Sequence, residues 1–584
     1  MHVEKQWRIA PPDRAAAESV ARQFGMSAVA AQVLLNRGVI GEPAVRAFLH
    51  PDLNQLHDPS CMPEMEVAAQ RVRDAVERRQ KIVVYGDYDA DGISATAILL
   101  RCLALVGANA EFYIPDRLEE GYGLNAAAVR KLAEAGTQLL ITVDCGITAV
   151  EEIALARKLG MEVIVTDHHE AGEIVPSGAT LIDPKLPGCI YPFRELSGAG
   201  LAFKLAWAIG KGFSPGRKVS PEFREFLVDS LSLAALGTIA DVVPLRDENR
   251  TIACFGIRGL SASSSVGIRA LRDAAGVESC AVPGALLGKG LSAWDVAFKL
   301  APRLNAAGRL GSAREAVELL TTSSAERAAE IAAGLNRDNA RRQKMQEKIL
   351  AECHEMIARE GGIAGRCSIV LAREGWHAGV IGVVASRLVE AYWRPTVLLA
   401  VEEDMGHGSA RSIAAMNLFE CLRECSGRLI GFGGHARAAG LRLRKGEIER
   451  FSEEFEKAAA RRLSSGDLEA FVDVDAEVRL SDVTRPLLDE LDRLAPFGEG
   501  NREPLLAAFD LETPSGATYI GDGRHLAFWV RQNGATFRAV AFNRGHMAAA
   551  LSAGRACSLV FVPRLNRWRG DAKIELDVRE IRVK

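Results

Sequence analysis

The sequence predicts an α/β protein: a parallel sheet, then a smaller α/β unit, then a strand-rich C-terminal module. Three observations carry that prediction. From about residue 67 to 170, short β-prone apolar runs alternate with helical runs, the βαβα succession of a parallel sheet with helices on both faces. A second strand–helix alternation restarts at Ser368. From about Leu468 the pattern changes to period two, as in FVDVDAEVRL and the runs Leu526–Arg531, Thr536–Phe542 and Ser558–Val562.

At 584 residues the chain is too long for one core. The expected division is a helical arm (1–60), a main α/β domain (61–320), a connecting helix (321–362), a smaller α/β domain (363–465) and a β-barrel (466–584). A formal net charge of −3 excludes a polyanion binder of uniformly basic surface, so any nucleic-acid contact must be local. The 11 cysteines form no CxxC pair, which predicts reduced thiols and a cytoplasmic protein. No apolar run reaches the length of a membrane span, and the first residues have no signal-peptide core.

Within the arm, Ala15–Phe24 and Ala28–Asn36 have helical periodicity, and Pro51, Pro59 and Pro63 punctuate the exit. It reads as a packing arm without chemistry. The stretch KIVVYGDYDADGISATAIL follows an amphipathic helix, Val67–Arg79. Ile82–Tyr85 has the length of a buried strand, Asp87, Asp89 and Asp91 alternate after it, and Gly92 turns the chain into a helix, Ile93–Val106. One Asp suits a helix cap. Three within five residues repel one another and raise each other's pKa unless a cation lies among them. Ala110–Ile114, Leu139–Val143 and Met161–Val165 are the next strands; the second ends at Asp144 and the third runs into Asp167, His168 and His169. Strand ends of a parallel sheet share one rim, so the fold gathers these groups where open α/β sheets place their sites. Capping or a polar turn explains each singly; the recurrence favours a metal cluster.

Phe223–Ala240 reads as a helix ending in GTIADVVPL, where Asp241 interrupts an apolar run and must be paired, capped or metal-bound. In KLAPRLNAAGRLGSA, Arg303, Asn305 and Arg309 suit phosphate contacts. Ser323 and Glu326 form a capping-box pattern opening a long helix to Arg359; its seven basic and seven acidic residues from Glu326 to Glu360 predict a solvated spacer. The second α/β unit carries His377 and Arg387 in and beyond GWHAGVIGVVASRL, Ser409 and Arg411 in GHGSARS, and Gly433, Gly434 and His435 in GFGGHARAAG. Ser and Arg beside glycine suit an oxyanion or phosphate pocket, and the same glycines suit tight turns. In the last module nine Lys or Arg and one acid, Asp571, lie between Arg524 and Lys573, interleaved with Phe528, Trp529, Phe537, Phe542 and Trp568. Some of these aromatics must be core; basic and aromatic residues on one barrel face hold a single strand by charge and stacking.

GDYDADG, TVDCG, TDHH and GTIADVVPL, followed by GWHAGVIGVVASRL, GSARS and GFGGHARAAG, resemble the DHH phosphoesterase superfamily with its DHHA1 partner domain. In order and length the motifs are similar to its branch of single-strand-specific exonucleases, with 61–320 as the DHH domain, 363–465 as DHHA1 and 466–584 as an OB-like barrel. The resemblance implies a two-metal centre using Mn²⁺ or Mg²⁺, with Asp89, Asp91, Asp144, His168 and Asp241 as ligands and Asp144 bridging. Asp87 joins as a ligand or a support for one, Asp167 orients His168, and His169 contacts the scissile phosphate or aids the leaving oxygen. Tyr85 stands where related phosphatases have a His. Ser409, Arg411, Gly433, Gly434 and His435 are implied to hold the 5′ terminal phosphate, with Arg117, Arg303, Asn305, Arg309, His377 and Arg387 along the cleft. The implied activity is 5′→3′ removal of mononucleotides from single-stranded DNA by a monomer. Implied partners are single-strand-binding protein and recombination or mismatch-repair proteins. A phosphodiesterase for oligonucleotides or cyclic dinucleotides is the nearest alternative, but it needs neither arm nor barrel. A non-catalytic DNA-binding protein is the other, against which the intact acids speak.

Overall fold

The computed structural model describes residues 5–584 except 118, 119, 122, 217, 278–289, 552, 553, 569 and 570; at 567, 568 and 571 only the backbone is described, so the side chain of Trp568 lies outside it. The chain divides into two compact units, one of residues 9–336 with 474–584, the other of residues 1–8 with 337–473.

In the larger unit, five strands form an all-parallel sheet: β1 (Lys81–Gly86), β2 (Asn109–Tyr113), β3 (Leu139–Val143), β4 (Glu162–Thr166) and β5 (Thr180–Ile182), in the order β2-β1-β3-β4-β5. The sequence had not pointed to β5, a strand of only three residues. Alternation along β1 feeds two cores. Ile82 and Val84 join a large cluster with Ile141, Val143 and Ile164, while Val83 and Tyr85 join Leu140, Val163 and Val165 on the other face. That double burial makes the strands read as continuous apolar runs. With this strand order, the chain leaves β1 to one side for β2 and returns on the other side for β3. The crevice past the ends of β1 and β3 is therefore the topological switch point, where such sheets bind ligands.

Helix α1 (Ala90–Leu105) follows β1 and is buried on nearly all sides between α2 (Gly198–Gly212) and α3 (Pro221–Ala240). It begins three residues earlier than its apolar run suggests, because Asp89 caps it by accepting from the amides of Asp91 and Gly92. Gly92 makes no turn. It lies in the first helical turn, where a Cβ would come within 2.7 Å of the Asp87 backbone amide.

The arm and the C-terminal module share one core, in which Leu34 and Val45 join Leu487, Leu506 and Phe561. That module is a seven-stranded sheet in which Leu506–Glu512 and the long Asp571–Val583, neither expected from the sequence, pair with Ala556–Trp568. Its predicted basic face needs correction. Arg538 pairs with Glu575, Arg544 with Glu580, Arg564 with Glu503 and Arg531 with Glu512. Those acids lie outside or at the edges of the basic stretch in sequence, and strand pairing brings several of them opposite it. Phe528 is core, whereas Trp529 and Phe542 are exposed.

The smaller unit is a mixed sheet: Gly431–Gly434, Ala438–Arg444, Met405–Arg411, Thr396–Glu402 and Ile369–Glu374, in that order, parallel only between the last two. Phe451 and Phe455 of helix Ile448–Arg462 pack against Leu399, Ala410 and Leu441. The chain crosses from one unit to the other within helix Ala325–Arg359. This helix is not a solvated spacer: Ala328, Ile331, Ala332 and Leu335 enter the larger unit's core, and Ile349, Cys353 and Ile357 are buried farther along. Among the described residues, no helix is long and apolar enough to cross a membrane.

Arg37 of the arm makes a two-pronged contact with Asp475 at 2.5 and 3.1 Å, and Asp475 also accepts from the Leu505 amide. Removing the carboxylate strands a mostly buried guanidinium. Asp475→Ala is expected to cost about 3 kcal/mol, read as a lower urea midpoint.

Candidate active site

Past the ends of β1, β3 and β4, the structure gathers eight groups from four segments. Three sets of ligand atoms each lie within 4.8 Å of one another: Asp87, Asp89 and Asp144; Asp91, His168 and Asp241; Asp144, His168 and His169. The sets overlap at Asp144 and His168. His168 Nε2 is 3.0 Å from Asp144 Oδ1, 3.6 Å from Asp241 Oδ2 and 3.9 Å from Asp91 Oδ2.

Each group is aimed by its chain. Asp91 sits in the first turn of α1 and accepts from the amides of Gly198 and Ala199, at 2.7 and 2.9 Å, where α2 begins. Asp144 ends β3 with φ at 61°, a left-handed conformation uncommon for Asp, while its amide donates to Thr166 O at 2.9 Å. Asp241 is the C-cap of α3. Asp167 differs from expectation. Its Oδ1 accepts from the amides of His168 and His169 and lies 2.6 Å from His169 Nδ1, so the ring it orients is that of His169.

The electrostatics are those of an anionic nest. Burial, reinforced by Asp89, pushes Asp87 well above the usual carboxylate range; burial and Asp91 do the same to Asp144 and to Asp241. Burial, with Asp89, pushes Asp91 up to about 7. Burial also works to raise Asp167, but the hydrogen bond and charge of His169 outweigh it and hold it low. For His169, burial is outweighed in turn by Asp167, which raises the imidazole to about 9. Asp87 Oδ1 is buried without a hydrogen-bond partner. Oxygen donors with one or two imidazoles, crowded and partly unsatisfied, fit hard divalent cations. The absence of thiolates from the three sets disfavours structural zinc.

The other predicted residues are placed as follows. Arg117 lies over the Tyr88 ring, 4.9 Å from its centroid, near enough to Asp87 to act on it. Arg309 belongs to helix Ala301–Leu310 and acts on Tyr88. Two expectations in this helix change. Asn305 Oδ1 accepts from the Ala90 amide at 2.8 Å and so fixes the start of α1. The Arg303 guanidinium is spent on Lys299 O, Ala274 O and Asn336 Oδ1, which leaves it a structural role. Tyr85 offers no ligand here, because it points to the other face of the sheet and donates to Gly123 O at 2.9 Å.

In the smaller unit, Ser409 and Arg411 lie on strand Met405–Arg411, and Gly433 and Gly434 on an edge strand rather than in turns. Gly433, Gly440 and Ser409 face one another in one row across three strands. A Cβ at Gly433 would meet nothing within 4 Å, and Arg411 Nη1 donates to Ser409 Oγ at 3.2 Å. The His435 amide closes the turn onto Ala438 O. His377 caps helix Ala378–Tyr392 by accepting from the Gly379 amide, and burial, with Arg341, lowers its pKa. Arg387 lies in the same helix, close enough to disfavour the charge on Arg342.

The sequence reading overlooked several glycines that shape both places. A Cβ on Gly198 would lie 2.6 Å from Asp144 Oδ1, one on Gly237 2.2 Å from Asp91 Oδ1, and one on Gly382 2.8 Å from Ser409 Oγ. The available signal was glycine in otherwise apolar helices, where it costs stability unless something approaches closely.

Two measurements test the cluster. In cation-free buffer Asp144→Asn is expected to raise Tm by relieving like-charge repulsion; Mn²⁺ should stabilise the parent chain, by about 2.7 kcal/mol at a hundred times Kd, and the variant far less. Gly198→Ala should likewise lose most of the Mn²⁺-dependent gain in Tm.

Comparison with known proteins is consistent with this geometry. Family models match residues 81–238 (DHH family, N-terminal domain), 365–461 (DHHA1 domain) and 474–580 (RecJ OB domain). The single-stranded-DNA-specific exonuclease RecJ of Bacillus subtilis is 37% identical over 580 residues, covering 99% of this chain and 71% of the relative. That of Thermus thermophilus is 38% identical, covering 93% and 75%. The crystal structure of RecJ in complex with Mn²⁺ from Thermus thermophilus matches with a TM-score of 0.83 at 33% identity, over 99% of this chain and 79% of that one. Its Mg²⁺ complex matches with a TM-score of 0.77 at 32% identity, covering 99% and 78%. The chain belongs to the RecJ family.

Proposed function

We propose that this protein is a single-strand-specific DNA exonuclease that works from the 5′ end and releases 5′ mononucleotides with two divalent cations, Mn²⁺ or Mg²⁺. The observation that carries the reading is the convergence of three overlapping donor sets at the sheet's switch point, sharing Asp144 and His168, in a member of this family. Asp89, Asp91, Asp144, His168 and Asp241 would hold the cations, with Asp87 beside Asp89 and Asp144. When bound, such cations make water nucleophilic at neutral pH and offset the charge that builds on a phosphodiester.

The chain's own groups do the rest. Asp91 is held by the two amides at the start of α2, so its oxygens keep one aim. Asp167 keeps a proton on His169 Nδ1 and fixes the ring beside Asp144 and His168, where His169 contacts the scissile phosphate or assists the leaving oxygen. Arg117 and Arg309 serve backbone phosphates. In the smaller unit Ser409 and Arg411, with Gly433, open where a Cβ would stand, Gly434 and His435, bind the terminal 5′ phosphate, and His377 and Arg387 serve the strand farther along. Exposed Trp529 and Phe542 supply stacking surfaces in the barrel.

The division at 61–320, 363–465 and 466–584 thus assigns chemistry, end recognition and strand holding to separate modules, with 1–60 bracing the last and 321–362 connecting the first two. A cytoplasmic monomer, working with single-strand-binding protein in recombination or mismatch repair, fits this assignment.

Asp144→Ala should lower the cleavage rate by roughly 10³-fold or more while leaving single-strand binding largely intact, measured on a 5′-labelled oligonucleotide; survival of cleavage overturns the site. Arg411→Ala should raise KM for 5′-phosphorylated strands about 10- to 100-fold and erase their advantage over 5′-hydroxyl strands. A dinucleotide degraded faster than a polymer would favour the oligonucleotide phosphodiesterase instead.

A further inference from the structure

The candidate ligands are not held alike. The side chains of Asp91, Asp144 and His168 are at most 6% exposed, but that of Asp241 is 28% exposed. On its N-terminal side Asp241 is anchored by helix α3, its amide donating to Gly237 O at 2.9 Å. On its C-terminal side the chain leaves through Val242, an exposed β-branched residue at φ 61°. That conformation is an outlier for valine and persists only where the surroundings impose it.

The C-terminal module supplies that constraint. The Leu245 amide donates to Glu499 O at 2.8 Å, and Arg246 Nε donates to Gly500 O at 3.1 Å. Leu245 lies so close to Gly498 that a Cβ there would come to 2.8 Å of its Cδ1. Gly500, at φ 69°, packs on Pro244, which a Cβ would approach to 3.0 Å. The turn is itself locked: Gly498 and Asn501 exchange backbone hydrogen bonds at 2.9 and 3.2 Å, and Asn501 Nδ2 donates to Leu494 O and Pro496 O.

We propose that the Gly498–Gly500 turn is a positioning element for Asp241, so that docking of the C-terminal module sets how tightly the catalytic cation is held as well as how the strand is held. This rests on the reading of Asp241 as a cation ligand. The turn touches the segment that leaves Asp241 and not the carboxylate itself, so it tunes the aim of one ligand and leaves the others in place. Loosening it lowers affinity for the cation, and excess cation restores the chemistry.

The test uses the full chain and Mn²⁺ alone as probe, with free Mn²⁺ followed by its electron paramagnetic resonance signal and cleavage followed against Mn²⁺ concentration. Gly500→Val breaks the turn at both its φ and its packing. Arg246→Ala removes one hydrogen bond from an exposed side chain and decides the matter if the first variant does not fold. The expected result is a Mn²⁺ midpoint raised about tenfold in Gly500→Val, and less in Arg246→Ala, by both readouts, with cleavage recovering at saturating Mn²⁺. An unchanged midpoint in the folded variants, even with a lower Tm, overturns the proposal, because bracing of the fold alone lowers Tm without moving the midpoint. If the unsubstituted chain takes up no Mn²⁺, the cation reading itself falls; if it does and the variants match it, only the positioning role falls.

Discussion

Repulsion among buried carboxylates is the constraint that the rest of this structure answers. Asp87, Asp91 and Asp144 are withdrawn from water at the ends of two adjacent parallel strands, with Asp89 and Asp241 beside them. No folding core gains from such a cluster, since burial and like charge both act against ionisation. Arg117 and the His169 imidazole offset part of that charge, and the rest of the fold's answer is backbone. The amides of Gly198 and Ala199 turn toward Asp91, those of Asp91 and Gly92 toward Asp89, and the Asp144 amide is committed to β4. The first four amides aim the carboxylate oxygens, the last fixes the backbone of Asp144, and net negative charge stays in the crevice. A divalent cation would complete that arrangement, and stability and function would then depend on the same ion.

Preorganisation of this kind needs room, and glycine supplies it. Gly198 and Gly237 stand where any Cβ would collide with Asp144 and Asp91, and Gly92 lets α1 begin against the backbone of Asp87. The three sit in helices, where glycine weakens the helix itself. The chain accepts that loss in α1, α2 and α3, the helices whose ends frame the acids. The smaller unit repeats the device with Gly382 against Ser409, and with the row Gly433, Gly440 and Ser409.

Much of this was legible in the sequence because it follows from short-range physics. Strands with acids at their C-terminal ends predict a shared rim, and the sheet order places that rim at the switch point. Most of the misreadings share a cause, which is that the deciding partner lies far along the chain. The basic stretch after Arg524 is offset by Glu503, Glu512, Glu575 and Glu580, several of which reach it only through strand pairing. Arg303 reads as a phosphate ligand until Ala274 and Asn336 take its donors; Asp167 is the local exception, reading as a support for His168 until the ring two residues on turns to it. Mixed charge likewise concealed the apolar stripe of helix Ala325–Arg359, because a stripe of small residues such as Ala328 and Ala332 carries little hydrophobic contrast.

The same long-range logic explains the polar residues that open helix Asp247–Ala262, directly after the Asp241 loop. Glu248 is fully buried, pairs with Lys204 and accepts from the Tyr191 hydroxyl and the His57 amide. Burial lowers the Lys204 pKa even so, which marks the pair as costly to bury. Asn249 donates to Glu195 O and Pro244 O, and Arg250 donates to carbonyls of Phe48, Leu494 and Ala495. Three successive side chains thus tie the arm, the α/β domain and the C-terminal module to one helical turn. A hydrophobic contact could bury as much surface there, but it would not fix direction. Directional bonds to main-chain carbonyls hold the segments in one register, and the loop carrying Asp241 lies between that turn and helix α3.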